Sequence, residues 1–212
     1  MPADRPRSRF ITFEGGEGAG KSTQARKLAD ALRAAGAEVV LTREPGGSPG
    51  AEDIRRLLVE GETGRWTPQT EALLHFAARA DHIARVIAPA LAAGKWVISD
   101  RFADSTIVYQ GCGQGLDLDW LKSLRRSVVG EHEPGLTFVF DLPVETGLAR
   151  AQAEQRYERM GIAFHERLRS GFRAIAEAAP ERYVMIDAAR SIGEITADLF
   201  AEVGSRFGIK LI

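Results

Sequence analysis

The chain has 212 residues, 44% of them hydrophobic, with 28 Lys and Arg against 29 Asp and Glu and a formal net charge of −1. That length suits one α/β domain with insertions, and the charge balance lacks the basic surplus that a nonspecific nucleic-acid binder needs. The single cysteine, Cys112, excludes an internal disulfide and suits a reducing compartment, while no stretch approaches the roughly 20 apolar residues of a membrane span. No apolar signal core follows the basic residues 1–9, so a cytoplasmic location is expected.

Phe10–Phe13 reads as a first buried strand, and a glycine-rich turn follows it at once. Gly15-Gly16-Glu17-Gly18-Ala19-Gly20-Lys21-Ser22 fits G-x-x-x-x-G-K-[ST], the phosphate-binding loop. Its glycines let successive N–H groups point at phosphate oxygens, Lys21 reaches the β- and γ-phosphates, and the Ser22 hydroxyl can ligate Mg²⁺. The helix expected over Gly20–Ala35 aims its positive end at the same anion. A strand before the loop and a helix after it separate this match from a chance glycine turn.

The next strand, Glu38–Thr42, ends in Arg43-Glu44-Pro45-Gly46-Gly47, which taken alone is a turn with a charged pair. Helices are expected over Ala51–Glu60 and Gln69–Ala93, the latter opened by Thr67-Pro68 and carrying a late Pro89 that can kink it. Within the longer helix, His75-Phe76-Ala77-Ala78-Arg79 sets aromatic rings about one turn from an arginine, a spacing that stacks on a base and bonds its edge, or simply packs a core ring beneath a surface charge. Strand Trp96–Ser99 ends in Asp100-Arg101, where the carboxylate can hold Mg²⁺ and the guanidinium can bind a phosphate in a fork. Thr106, Tyr109 and Gln110 then fall on neighbouring helical positions, and Cys112 reads as loop packing.

Further helices are expected over Leu118–Gly130, Glu145–Glu154, Gly161–Ala178 and Ile192–Phe207, and strands over Leu136–Asp141 and Tyr183–Ile186. Arg150, Arg156, Arg159, Arg167 and Arg169 make a basic run between these last two strands. Strands alternating with helices imply a parallel sheet covered on both faces. Polar clusters at the strands' C-terminal ends mark the ligand side of such a sheet.

Five segments in order resemble the bacterial thymidylate kinases nearly end to end: Phe13–Thr23, Thr42–Gly47, Phe76–His82, Asp100–Gly111 and Phe164–Arg169. The resemblance implies a P-loop NTPase three-layer fold, with a five-stranded parallel sheet flanked by helices and a short mobile lid over about residues 150–161. It implies ATP and thymidine monophosphate as substrates, Mg²⁺ as cofactor and a homodimer. Gly15 through Thr23 would hold ATP. Ser22 and Asp100 would serve the metal. Glu17 would meet the sugar 3′-hydroxyl, Arg55 and Arg101 the acceptor phosphate, and Glu44 and Pro45 the nucleotide. Arg79 would read the base edge, with Thr106, Tyr109 and Gln110 completing the base and deoxyribose pocket.

Two positions depart from the family's pattern. Where it places a stacking Phe four residues before the base-reading Arg, this chain has His75, and Phe76 is the neighbour, so either ring is a candidate. The lid's usual R-A-R-x-R is here Leu148-Ala149-Arg150-Ala151-Gln152-Ala153-Glu154, leaving Arg150 with Arg156 or Arg159 as the catalytic lid arginines. A P-loop kinase for another nucleotide or nucleoside shares most of these features. A GTPase switch does not, because its guanine motif N-K-x-D needs an asparagine and this chain has none.

Overall fold

The computed structural model describes residues 7–151, 157 and 159–211. Five parallel strands form one sheet: β1 (Phe10–Gly15), β2 (Val39–Arg43), β3 (Trp96–Asp100), β4 (Leu136–Asp141) and β5 (Tyr183–Asp187), in the order β2-β3-β1-β4-β5. β1 lies between β3 and β4, pairing Phe13 with Asp100 on one side and with Phe138 on the other. Most expected strands are one or two residues short at the C-terminal end, because the polar residues that close them still belong to the ladder.

Side chains alternate across the sheet with the period of two that a pleated strand imposes. Ile11, Phe13, Ile98, Phe138 and Phe140 pack on one face against Leu28 and Leu32 of α1 (Lys21–Ala34) and Leu199 and Val203 of α9 (Ile192–Phe207). Phe10 and Val97 point the other way, toward Ile83, Ile87, Phe102 and Val129. Val139 meets Phe164, Leu168 and Phe172 of α8 (Ile162–Ala178). Removal of this apolar area from water holds the three layers together. α9 opens with a complete capping box between Ser191 and Glu194 and closes on Gly208 in a left-handed conformation.

The long helix expected over Gln69–Ala93 is not one register. It runs as α3 (Pro68–His82), a π-helical segment Ile83–Ile87, and α4 (Ala88–Ala92). The Ala88 N–H reaches back to the Ile83 carbonyl. The next residue, Pro89, has no N–H, and its ring would strike the carbonyl four residues back; the wider π turn absorbs that mismatch without breaking the helix. A second π segment, Ile107–Gly113, extends the short α5 (Ala103–Thr106). Cys112 therefore lies in a helix and not in a loop; a Cβ on Gly171 of α8 would sit 2.8 Å from its Sγ. The remaining helices are α2 (Pro49–Val59), α6 (Leu118–Val129) and α7 (Val144–Ala151). Half of the expected lid, about 150–161, lies outside the described residues, at 152–156 and 158.

One ionic cluster ties the layers under the site. Asp104 is 1% exposed and accepts from Arg125 Nη1 at 2.6 Å, Arg182 Nη2 at 2.7 Å and the Tyr183 hydroxyl at 2.9 Å. Burial pushes its carboxyl up, but Arg125, Arg182 and Tyr183 outweigh burial and hold it below the ordinary value. Its contribution to stability is thus present at neutral pH and lost as acid protonates it. Asp104→Ala takes the shared carboxylate from Arg125, Arg182 and Tyr183, while Glu133 still pairs both arginines, so a loss of about 2–3 kcal/mol is expected, read as a melting point lowered by more than about 4 °C.

Candidate active site

The phosphate loop leaves β1 at Gly15, with φ 129, and a Cβ there would lie 2.4 Å from the Phe140 carbonyl oxygen. Gly18 has φ 65, and its Cβ would fall 2.1 Å from the Gly147 carbonyl oxygen of α7. Only glycine permits both the turn and that approach. Lys21 opens α1, is buried, and donates from Nζ to the Gly16 carbonyl at 2.5 Å. Burial and the neighbouring Arg101 lower its pKa to about 8, against the pull of Glu17, Asp100 and Glu14.

Asp100 and Arg101 arrive from β3, the strand beside β1. The Ser22 hydroxyl donates to Asp100 Oδ2. Arg101 stands in the left-handed region at φ 70 and fans its guanidinium across the site. Its Nη2 donates to Glu17 Oε2 at 2.9 Å, and its Nη1 to the Gly15 carbonyl at 2.9 Å and to Ser105 Oγ at 3.2 Å. The Tyr109 hydroxyl closes on Glu17 Oε1 at 2.5 Å, and the Tyr109 ring lies 5.1 Å from the Arg101 guanidinium. Burial would raise the Glu17 pKa, but Arg101, Lys21 and Tyr109 hold it down to about 2. Glu17 is a carboxylate throughout the physiological range.

These groups line one wall of a cavity of about 350 Å³, within the range of nucleotide-sized pockets. In the same lining, Arg79 is 2% exposed and held by Glu44: its Nε donates to Glu44 Oε2 at 2.8 Å, and its Nη2 to the Phe102 carbonyl at 3.2 Å and to Thr106 Oγ1 at 3.1 Å. Glu44 Oε1 also meets His82 Nδ1 at 2.9 Å. Arg79 Nη1, although buried, has no hydrogen-bond partner among the described residues, and neither has Gln110 Oε1. Arg55 joins the lining, with its Nη1 on the Pro45 carbonyl at 2.6 Å.

His75 and Phe76 separate. His75 lines the cavity, its pKa lowered to about 3 by burial and by Arg79, Arg101 and Arg55, so the ring is neutral. Phe76 is turned into the core with Ala72, Ile107 and Leu121, where its ring lies 4.9 Å from the Arg79 guanidinium. Phe76 therefore supports Arg79 from behind and is not part of the cavity wall.

Tyr157 was not legible as a site residue, yet it lines the cavity, packs edge-on to Tyr109 at 5.3 Å and brings its hydroxyl to 3.1 Å from His75 Nε2. Ser105, Arg43 and Val59 also line the cavity without having been singled out. Their only sequence signal is proximity to motifs.

The basic run disperses. Arg150 lies at the α7 surface against the phosphate loop; a Cβ on Gly18 would be 3.1 Å from Arg150 Cβ. Arg159 donates from Nη2 to the Gly61 carbonyl at 2.7 Å. Arg167 holds the Gly113 carbonyl, and Arg169 forms a forked pair with Asp141 at 2.6 and 3.0 Å, so that pair belongs to the scaffold. Arg156 lies outside the described residues. Among the described residues, no group of three or more His, Cys, Asp or Glu side chains gathers to hold a metal.

A phosphate loop feeding α1, a parallel sheet with β1 at its centre, and an Asp-Arg pair at the adjoining strand end define a P-loop nucleotide kinase. The family model for Thymidylate kinase matches residues 13–199. The thymidylate kinase of Caulobacter vibrioides is 55% identical over 203 residues, covering 94% of this chain and 98% of that protein. That of Dinoroseobacter shibae is 56% identical over 199 residues, covering 92% and 96%. The crystal structure of thymidylate kinase from Ehrlichia chaffeensis superposes with a TM-score of 0.76 at 34% identity, covering 92% of this chain and 97% of that one. The chain belongs to the thymidylate kinase family.

Lys21→Ala is expected to lower phosphoryl transfer at least about a hundredfold while leaving the protein folded, because the Lys21 side chain takes no part in the apolar clusters of the core. Native turnover would remove the loop from the site.

Proposed function

We infer that this protein transfers the γ-phosphoryl group of ATP to the 5′-phosphate of thymidine monophosphate. The observation that carries this reading is the pairing of two features in one cavity: a phosphate loop, and a buried guanidinium in the same lining whose Nη1 is unmatched among the described residues. Arg79 Nη1 as donor and Gln110 Oε1 as acceptor suit a base edge that offers a carbonyl beside a ring N–H, as thymine does and cytosine does not. His75 presents the neutral face for stacking, in place of the family's Phe. Glu17, ionised and fixed by Arg101 and Tyr109, would accept the 3′-hydroxyl. The Tyr109 ring, whose hydroxyl bonds Glu17, would exclude a ribose 2′-hydroxyl in favour of deoxyribose. Glu44 acts through Arg79, and Pro45 and Thr106 complete the walls.

Catalysis in this reading is positional and electrostatic. Two anionic phosphates must approach, and Arg55 and Arg101 would hold the acceptor while Lys21 holds the donor. The acceptor is already ionised, so no strong general base is required. Arg150, beside Gly18, is the best placed of the described arginines to cover the transferring group; Arg156 remains a candidate by sequence. Gly15 to Thr23 would cradle the ATP phosphates. Mg²⁺ would sit at Ser22 and Asp100, an all-oxygen pair that suits a hard cation completed by phosphate and water, and it would offset phosphate charge. The exposed Leu57, Leu73 and Leu118, on the adjoining α2, α3 and α6, support a second copy packed there as a homodimer. No described helix is long and apolar enough to cross a membrane, and we assign the protein to the cytoplasm.

A coupled ADP-release assay with ATP and Mg²⁺, run across the nucleoside monophosphates, should give its highest kcat/KM with thymidine monophosphate. Stronger release with another acceptor would reassign the base pocket. Arg101→Ala should then raise the acceptor KM and lower kcat, each by about tenfold or more; an unchanged acceptor KM would take Arg101 out of the phosphate site.

A further inference from the structure

Glu14 is the last side chain of β1 before the phosphate loop, and it is 0% exposed. Its partners come from the start of α5. Oε1 accepts the Phe102 N–H at 2.8 Å and the Ser105 N–H at 3.3 Å, and Oε2 accepts the Ser105 hydroxyl at 2.6 Å. A helix start leaves unsatisfied N–H groups that the residue before it ordinarily caps. Here that residue is Phe102, which makes no side-chain cap and is spent in the core, 4.9 Å edge-on from Phe10. The Glu14 carboxyl supplies the cap from a different strand; burial and Asp104 raise its pKa to about 7, against Ser105, Arg101 and the Phe102 N–H, so the charge that suits the helix's positive end is full only above neutral pH.

The same contact sets the next one. The Ser105 hydroxyl has one proton, and by giving it to Glu14 it turns a lone pair toward Arg101 Nη1 at 3.2 Å. Acceptors and donors then alternate without a break, from Glu14 through Ser105 and Arg101 to Glu17 and Tyr109. The segment capped by Glu14 is also the one that carries Thr106, Tyr109 and Gln110 into the cavity. Charged and titratable groups face Glu14 from several elements: Asp104 from α5, Arg101 from the end of β3, Lys21 from α1 and Tyr109 from the π segment.

We propose that Glu14 is a positioning residue for the acceptor side of the reaction: it caps α5 from beneath and, through Ser105, fixes the guanidinium of Arg101 against Glu17. The proposal rests on the functional reading above. Glu14→Gln is the informative change, because an amide can donate to Ser105, reverse its hydroxyl and aim a proton at Arg101. In that variant the KM for thymidine monophosphate should rise about tenfold while the KM for ATP moves by less than about twofold, the split expected of lost positioning on one substrate only. Ser105→Ala, which keeps the amide bonds to Glu14 but cuts the link to Arg101, should shift the same constant in the same direction by a smaller factor. The double variant should be no worse than Glu14→Gln alone, because both act on one chain of contacts.

Melting curves accompany each assay. A folded Glu14→Gln enzyme with native constants overturns the proposal, as does one in which both KM values rise together. If Glu14→Gln fails to fold, Ser105→Ala decides, and an unchanged acceptor KM there also overturns it. Wild-type turnover is measured first: its absence with thymidine monophosphate would sink the functional reading itself, independently of Glu14.

Discussion

The whole site hangs on one guanidinium held in a conformation that side chains seldom adopt. Arg101 leaves β3 with φ 70, a backbone state that costs a residue with a Cβ of order 1 kcal/mol or more. In return the side chain folds back over the phosphate loop and reaches Gly15, Ser105 and Glu17 at once. The peptide that enters the turn is pinned at both ends: its N–H, from Arg101, donates to the Phe13 carbonyl, and its carbonyl, from Asp100, accepts the Glu44 N–H. A register shift of β3 against β1 would carry the Asp-Arg pair away from Lys21 and Ser22. The hydrophobic alternation that fixes this register is therefore also what assembles the site.

That dependence explains what the sequence reveals and what it hides. The inner strands β1, β3 and β4 are short buried apolar runs, and the edge strands β2 and β5 are half-buried but still largely apolar, so all five could be located. The phosphate loop carries its own backbone requirement, so its glycines announce it. Helical phase is harder. Pro89 is visible, but its consequence is a π turn placed upstream of it, and a π turn changes which residues share a face. His75 and Phe76 are adjacent, so only their angle on α3 separates a cavity wall from the core, and that angle is fixed by Leu121 and Ile107 from distant elements. Tyr157 lies 82 positions from His75, and no local pattern connects them. The arginines from 150 to 169 form one run in the sequence, yet Arg169 is claimed by Asp141, 28 positions earlier. Charge in a sequence has no direction until its partners are known.

Burying this much charge is costly unless each group is matched. Glu44 lies between Arg79 and His82, and Asp104 between Arg125 and Arg182. Both clusters sit directly behind catalytic-side elements, one under α3 and one under α5. Their rigidity lets long, flexible arginine side chains act as fixed points, because little rotamer freedom is left to lose when an anion arrives.

The groups that would meet phosphates are treated differently from those that would meet the base. Lys21 rests on the Gly16 carbonyl, Ser22 on Asp100, and Arg101 on Glu17. Each is satisfied by a neighbour, and a phosphate or metal would exchange for that neighbour at modest net gain. Lys21 illustrates the exchange: burial and Arg101 have pulled its pKa to about 8, which leaves it mostly charged at neutral pH, and a phosphate beside it would raise that pKa again, so the interaction strengthens as negative charge gathers, which is the condition for stabilising a transition state more than a ground state. Arg79 Nη1 and Gln110 Oε1 have no such partner to give up among the described residues. A base that matches them relieves a buried mismatch, and one that presents donor to donor leaves it in place. In the proposed reading, selectivity would reside where the protein leaves polar groups unmatched, and phosphate chemistry where it leaves them replaceable.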